Sequence, residues 1–88
     1  MDEIEGKIHE FIVKDLLWEK QTELDSETQL LEEGIIDSIG LFRMVTFLEE
    51  TFHIRVPDED LLAENFQSIR RIGDYVKERL NSKGSRAL

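Results

Sequence analysis

Ser38 follows Asp37 and precedes Ile39 at the head of the most regular helical pattern in the chain. A serine hydroxyl can act as a nucleophile when a neighbouring base takes its proton. It can also be the passive acceptor of a group that another enzyme delivers. The first role needs a base within hydrogen-bond reach. The sequence offers two histidines, His9 and His53. His53 lies just past the far end of the helical pattern that begins at Ser38, about 21 Å away at helical rise. His9 has no motif around it, so both are read as surface histidines. The carboxylate pairs Glu32/Glu33 and Glu49/Glu50 sit in acidic runs that read as solvated faces. Asp58-Glu59-Asp60 lacks the glycine and terminal glutamate of a calcium loop. With no cysteine there is neither a thiolate metal site nor a disulfide frame. The sequence therefore shows no catalytic set and no metal ligands, and the chain is not expected to be an enzyme.

The passive role suits Ser38 better. Asp and Ser are residue types that accept hydrogen bonds from the free N–H groups of a starting helix. Those N–H groups, together with the helix dipole, also favour an anion such as a phosphodiester. The simpler alternative is that Ser38 only shares the capping of the helix with Asp37.

The elements that must position this serine can be read along the chain. Residues 2–17 predict a first helix, with Ile4, Ile8, Phe11, Ile12 and Leu16 at helical spacing and Asp2 and Glu3 at the positive end of its dipole. Trp18 is expected to be partly buried. Residues 19–37 have no sustained period, yet Leu24, Leu30, Leu31, Ile35 and Ile36 punctuate them. This predicts a long ordered loop pinned to the core, with a turn at Asp25-Ser-Glu-Thr and backbone freedom at Gly34. Leu41, Met44, Val45, Leu48 and Phe52 mark the buried stripe of a helix over 38–52. Ile39 falls on the opposite side. His53–Pro57 is extended in character, and Pro57 can open a short third helix over Asp58–Leu62. Ser68 caps a last helix with Ile69, Ile72, Val76 and Leu80 as its stripe, which Gly73 weakens locally. A frayed tail is expected over 81–88.

Composition bounds the reading independently. Eighty-eight residues suffice for one small domain, assigned to 1–80 ahead of the tail. The formal charge is −9, from 20 acids and 11 bases, which argues against nucleic acid as a partner. Residues 19–64 hold thirteen acids against three bases, and residues 65–88 hold six bases against two acids. An acidic recognition surface around Ser38 and basic protein partners are expected. The start Met-Asp-Glu-Ile-Glu has no basic n-region or long apolar run, and no stretch reaches transmembrane length, so a cytoplasmic monomer is expected. With no linker read on either flank, a free-standing protein is expected.

Gly34-x-x-Asp37-Ser38-Ile39, Leu48-Glu49-Glu50-x-Phe52, Ile54-x-Val56-Pro57, Phe66-x-Ser68-Ile69 and Tyr75-Val76 stand in an order and spacing that resemble an acyl carrier protein over about residues 4–80. The resemblance implies an all-α four-helix bundle with a long first loop and a short third helix. It implies a 4′-phosphopantetheine arm on Ser38, placed there from coenzyme A by a phosphopantetheinyl transferase. Asp37 would help that enzyme, and Mg²⁺ would belong to its reaction. A thioester needs a thiol, and a chain without cysteine must take its sulfur from such a group. Gly40 stands where fatty-acid carriers typically have Asp, and Arg43 where they often have Glu. Ser38-Ile39-Gly40 is closer to the D-alanyl and aminoacyl carriers, which often read Asp-Ser-Met-Gly.

The expected function is a carrier that tethers acyl or aminoacyl groups as thioesters and shuttles them between a loading ligase and downstream enzymes. One alternative is a D-alanyl or aminoacyl carrier with a dedicated ligase; another is an unmodified acidic docking module. Partners are expected on Ile39, Phe42, Arg43, Thr46, Glu49 and Glu50. Phe47 occupies a position where fatty-acid carriers commonly have a small residue. A short or polar cargo left in solvent is therefore expected, although helical spacing also allows Phe47 to point outward.

Overall fold

A computed structural model describes residues 2–16 and 24–85, with side chains through Asn81. Trp18 and the first five residues of the loop, 19–23, lie outside the described residues, as do 86–88 of the tail.

Helix α1 spans Glu3–Phe11 and continues as a π-helical turn over Ile12–Leu16. Asp2 caps it by accepting the Glu5 N–H at 2.8 Å. The same carboxylate takes the Lys77 ammonium, which ties the start of α1 to the last helix. The sequence places a helix here but gives no sign of its change of pitch. Ile8 and Ile12 are fully buried, and Ile4, Phe11 and Leu16 are half-buried, so the expected stripe is the one that packs.

The described part of the long loop is ordered for reasons that can be named. Asp25 Oδ1 accepts the Glu27 N–H at 2.8 Å and Thr28 N–H reaches the Asp25 carbonyl, which makes the expected turn. Leu30 is fully buried, and its N–H donates to the Gln67 carbonyl at 2.8 Å. Its own carbonyl accepts the N–H groups of Ile35 and Ile36 at 2.9 and 3.1 Å. One leucine thus anchors the loop by packing and by three backbone bonds. Gly34 turns the chain at φ 70, a conformation that costs a side-chain-bearing residue energy.

Helix α2 spans Ser38–Phe52, the bounds its sequence pattern predicts. Met44 and Leu48 are fully buried, while Leu41, Val45 and Phe52 pack half-buried beside them. The helix ends on His53 in a left-handed conformation, φ 56 and ψ 45. Ile54 and Val56 then turn into the core from an extended segment.

The third helix differs from expectation. Asp58–Asp60 is a single 3₁₀ turn, Leu62 is extended, and α3 begins only at Ala63 and ends at Phe66. The carbonyl of Asp60 accepts the Leu62 N–H at 2.8 Å and the Asn65 side-chain amide at 2.9 Å. The Leu62 N–H is thus spent two residues back, not on the Asp58 carbonyl that a continuing helix would use. The Asp60 carboxylate is held at 2.6 Å by the hydroxyl of Tyr75. Asp58–Leu62 is thus a latched turn, and the short helix lies just after it.

Helix α4 runs over Ile69–Ser85, beyond residue 80 where the sequence places the start of a tail. Ser68 caps it as expected, its Oγ accepting the Arg71 N–H at 3.2 Å. Ile69, Ile72 and Val76 are fully buried. At Gly73 a Cβ would come to 3.0 Å from Glu5 Cγ, so the glycine lets α1 and α4 pack closely. Four bases of α4 tie other segments down: Arg70 bonds Glu27, Arg71 the Glu64 carbonyl, Lys77 Asp2, and Arg79 the Arg55 carbonyl. These four bases, exposed or half-buried, fasten the loop, α3, the start of α1 and the extended segment to α4. The whole is an all-α bundle of three long or medium helices and one short one, with no strand among the described residues.

Candidate functional site

The site is built at the start of α2. Asp37 is extended, φ −100 and ψ −171, and its Oδ1 accepts the Gly40 N–H at 2.8 Å. Its carbonyl accepts the Leu41 N–H at 2.8 Å. The cap of this helix is therefore Asp37 alone, and Ser38 is the first helical residue. Ser38 is exposed, and its hydroxyl has no hydrogen-bond partner among the described residues. The backbone N–H groups of Ser38 and Ile39 likewise have none among them. An accessible hydroxyl beside two free N–H donors, at the positive end of a fifteen-residue helix, is a fitting seat for a phosphodiester.

Gly40 makes this start compact. It is buried, and a Cβ there would lie 3.2 Å from Ile36 Cγ2, 3.3 Å from Asp37 Oδ1 and 3.8 Å from Leu16 Cδ1. The end of the π turn, the end of the loop and the cap of α2 converge on a position where even a methyl group would crowd Ile36 and Asp37. The sequence marks Gly40 only as a departure from fatty-acid carriers; its packing role needs three segments that are distant in sequence.

The structure separates the residues expected to meet partners. Ile39 and Phe42 stand out from the surface, 70% and 65% exposed. Arg43 is exposed beside them, with Nη1 donating to the Asp15 carbonyl of the π turn at 3.3 Å. Thr46 shares that side, its hydroxyl donating to the Phe42 carbonyl at 3.2 Å. Glu49 instead accepts the Val56 N–H at 2.9 Å and holds the extended segment to α2. Glu50 is exposed near the far end of the helix. The first turn of α2 contains no acid; the exposed acids nearest Ser38 in the chain are Asp37 and, in the loop, Glu32 and Glu33.

Phe47 lies off the core stripe by helical spacing, yet it is half-buried and packs against the core. Its ring stacks on Phe11 with centroids 4.4 Å apart and meets Phe52 edge-on at 6.2 Å. The seam between α1 and α2 is thereby filled with aromatic rings, and an open groove of about 340 Å³ remains outside it. His53 sits at the opposite end of α2 from Ser38, and no cluster of side chains suited to a metal ion occurs among the described residues. No described helix is long and apolar enough to cross a membrane.

Residues 11–76 match the family model described as "Phosphopantetheine attachment site". The chain is 33% identical over 78 residues to the acyl carrier protein of Buchnera aphidicola subsp. Baizongia pistaciae, an overlap of 89% of this chain and 96% of that one. It is 26% identical over 78 residues to the acyl carrier protein of Borreliella burgdorferi (strain ZS7), covering 89% and 94%. Among solved structures it resembles a chain from one described as "Crystal structure of FAD-dependent dehydrogenase", with TM-score 0.73, 26% identity, and 78% and 97% of the two chains covered. The bundle, the exposed serine at a helix start and these matches lead to one conclusion: the chain belongs to the acyl carrier proteins of the phosphopantetheine-attachment family, which tether acyl groups on a phosphopantetheine arm.

Proposed function

We propose that Ser38 is the residue that carries the 4′-phosphopantetheine arm, and that the chain moves acyl or aminoacyl groups between separate enzymes while catalysing no step itself. The observation that supports this most is the free Ser38 hydroxyl at the first position of α2, with the N–H groups of Ser38 and Ile39 unpaired beside it among the described residues. Ser38 Oγ holds the phosphate ester, and the two N–H groups stabilise its charge. The arm supplies the thiol that a chain without cysteine lacks. Asp37 fixes the backbone through Oδ1 and presents its exposed carboxylate to the transferase that brings the arm from coenzyme A. Further partners are a loading ligase and acyl-processing enzymes. The carrier works as a cytoplasmic monomer.

Gly40 favours an aminoacyl or D-alanyl carrier over a fatty-acid one. The aspartate typical of fatty-acid carriers at this position would have to displace Ile36 or the Asp37 cap.

Intact mass after expression with a phosphopantetheinyl transferase and coenzyme A tests the attachment. A gain of about 340 Da, the mass of the held group, is expected for the wild-type chain and none for Ser38→Ala. Loading of Ser38→Ala would overturn the assignment. Thioester formation from D-alanine, other amino acids and short acids by candidate ligases then identifies the cargo class.

A further inference from the structure

The outward side of α2 has a pattern of its own. Ile39, Phe42, Arg43 and Thr46 recur at steps of three and four, so they form one face at the start of α2. Single exposed apolar residues are ordinary. Here two large ones, Ile39 and Phe42, lie open to water on adjoining turns next to Ser38. Thr46 extends the strip, because its hydroxyl is engaged within the helix by the Phe42 carbonyl. Arg43 is the one base in α2. A single donor of its guanidinium is engaged, by the Asp15 carbonyl, which orients the fork at the edge of the strip. The acids of α2 are elsewhere: Glu49 is turned to Val56, and Glu50 is eleven residues from Ile39, about 16 Å along the axis.

We infer, on the reading that Ser38 carries the arm, that the enzyme loading Ser38 docks on this face with an apolar recess over Ile39 and Phe42 and a carboxylate opposite Arg43, rather than with a basic patch. The net charge of −9 invites a cationic partner, but that field is screened within about 8–10 Å at physiological salt. Contact is decided by the groups that meet. Arg43 lies five residues from Ser38, about 8 Å along the helix, and would repel a cationic surface brought to the serine. Its planar fork matches a carboxylate with two parallel bonds. Aromatic and arginine side chains at the centre of an interface commonly carry most of its binding energy.

Loading of the full chain by a phosphopantetheinyl transferase with coenzyme A, followed by intact mass at varied carrier concentration, tests this. Phe42→Ala and Arg43→Glu are each expected to raise KM roughly tenfold, with kcat and thermal midpoint close to wild type. Arg43→Lys should recover most of the loss, and Glu50→Gln should change KM by less than about twofold. A raised KM for Glu50→Gln with a lowered one for Arg43→Glu would mean a basic partner and overturn the inference. Wild-type KM in both Phe42→Ala and Arg43→Glu overturns it too. Self-association of the wild type in sedimentation, lost in Phe42→Ala, would make a second copy the occupant and also overturn it. All these outcomes leave loading at Ser38 intact. A wild-type chain that gains no arm, or gains it at another residue, refutes the attachment itself.

Discussion

The carboxylate of Asp37 accepts the N–H of Gly40 at 2.8 Å, so the residue before Ser38 closes the helix and leaves the serine free. Serine and aspartate are both good caps, and adjacent in sequence they compete for the role. The extended backbone of Asp37 and the helical position of Ser38 settle the competition.

Removing each side chain should separate the two roles. Asp37→Ala is expected to cost about 1 kcal/mol, the usual loss for a helix cap. Ser38→Ala should fall within about 0.5 kcal/mol of wild type, as for an exposed surface residue. Urea denaturation of the unmodified protein measures both. Equal losses would show that Ser38 shares the cap.

How much of this was legible in the sequence depends on the separation of the residues involved. The bounds of α2, its buried stripe, the Ser68 cap and the burial of Leu30 follow from spacing and residue type within a few positions. The π turn ending α1, the Asp60–Tyr75 latch and the turning of Glu49 to Val56 do not. Asp58-Glu59-Asp60-Leu61-Leu62 reads locally as a helix start, and a hydroxyl fifteen residues away holds its last acid in a tight turn. Charge partners are hidden in the same way. The sequence shows bases gathered in α4, and only the fold pairs Arg70 with the loop, Arg71 with α3, Lys77 with Asp2 and Arg79 with the Arg55 carbonyl.

Tyr75 should make stability fall at high pH. Burial, then the bond to Asp60, pushes its phenol well above the ordinary value of 10.0. A raised pKa in the folded state means that the stabilisation is fully present below 10.0 and is lost as pH rises through the native value, because the unfolded chain releases its proton first. Tyr75 is the sole tyrosine, so tyrosinate absorbance reports this group alone. Its ionisation is expected to coincide with unfolding above pH 10. Tyr75→Phe should lose about 1–2 kcal/mol at neutral pH and lack its share of the alkaline decline. Titration of the phenol near 10.0 in the folded protein would contradict this.

Asp2 supplies the opposite sign at low pH. The Glu5 N–H, then Lys77, hold its carboxyl below the ordinary 3.8. Its contribution is present above that value and disappears as pH falls through the lower native pKa. Asp2→Asn should therefore lower the thermal midpoint at pH 7 by more than it does at pH 2. Lys77→Met should reproduce part of the loss near neutrality. A pH-independent difference between Asp2→Asn and wild type would show that charge is not involved.

Gly40 gives a test in which two effects of similar size oppose each other. Exchanging glycine for alanine inside a helix ordinarily stabilises it by about 1 kcal/mol. Here the new methyl would stand 3.2 Å from Ile36 Cγ2 and 3.3 Å from Asp37 Oδ1. Ile36 is only 3% exposed and packed in the core, while Asp37 Oδ1 is fixed by the Gly40 N–H, so neither neighbour can yield freely. Crowding of this kind costs about 1–3 kcal/mol in packed sites. Gly40→Ala is therefore expected to gain nothing or to lose up to about 2 kcal/mol by that balance. Gly40→Asp should lose more, since its carboxylate would also face that of Asp37. Because the strain falls on the Asp37 cap, loading at Ser38 should slow in kcat for both variants, even where circular dichroism shows the helix retained. A Gly40→Ala protein that is more stable than wild type and loads at the wild-type rate would show that Ile36 and Asp37 have room to move.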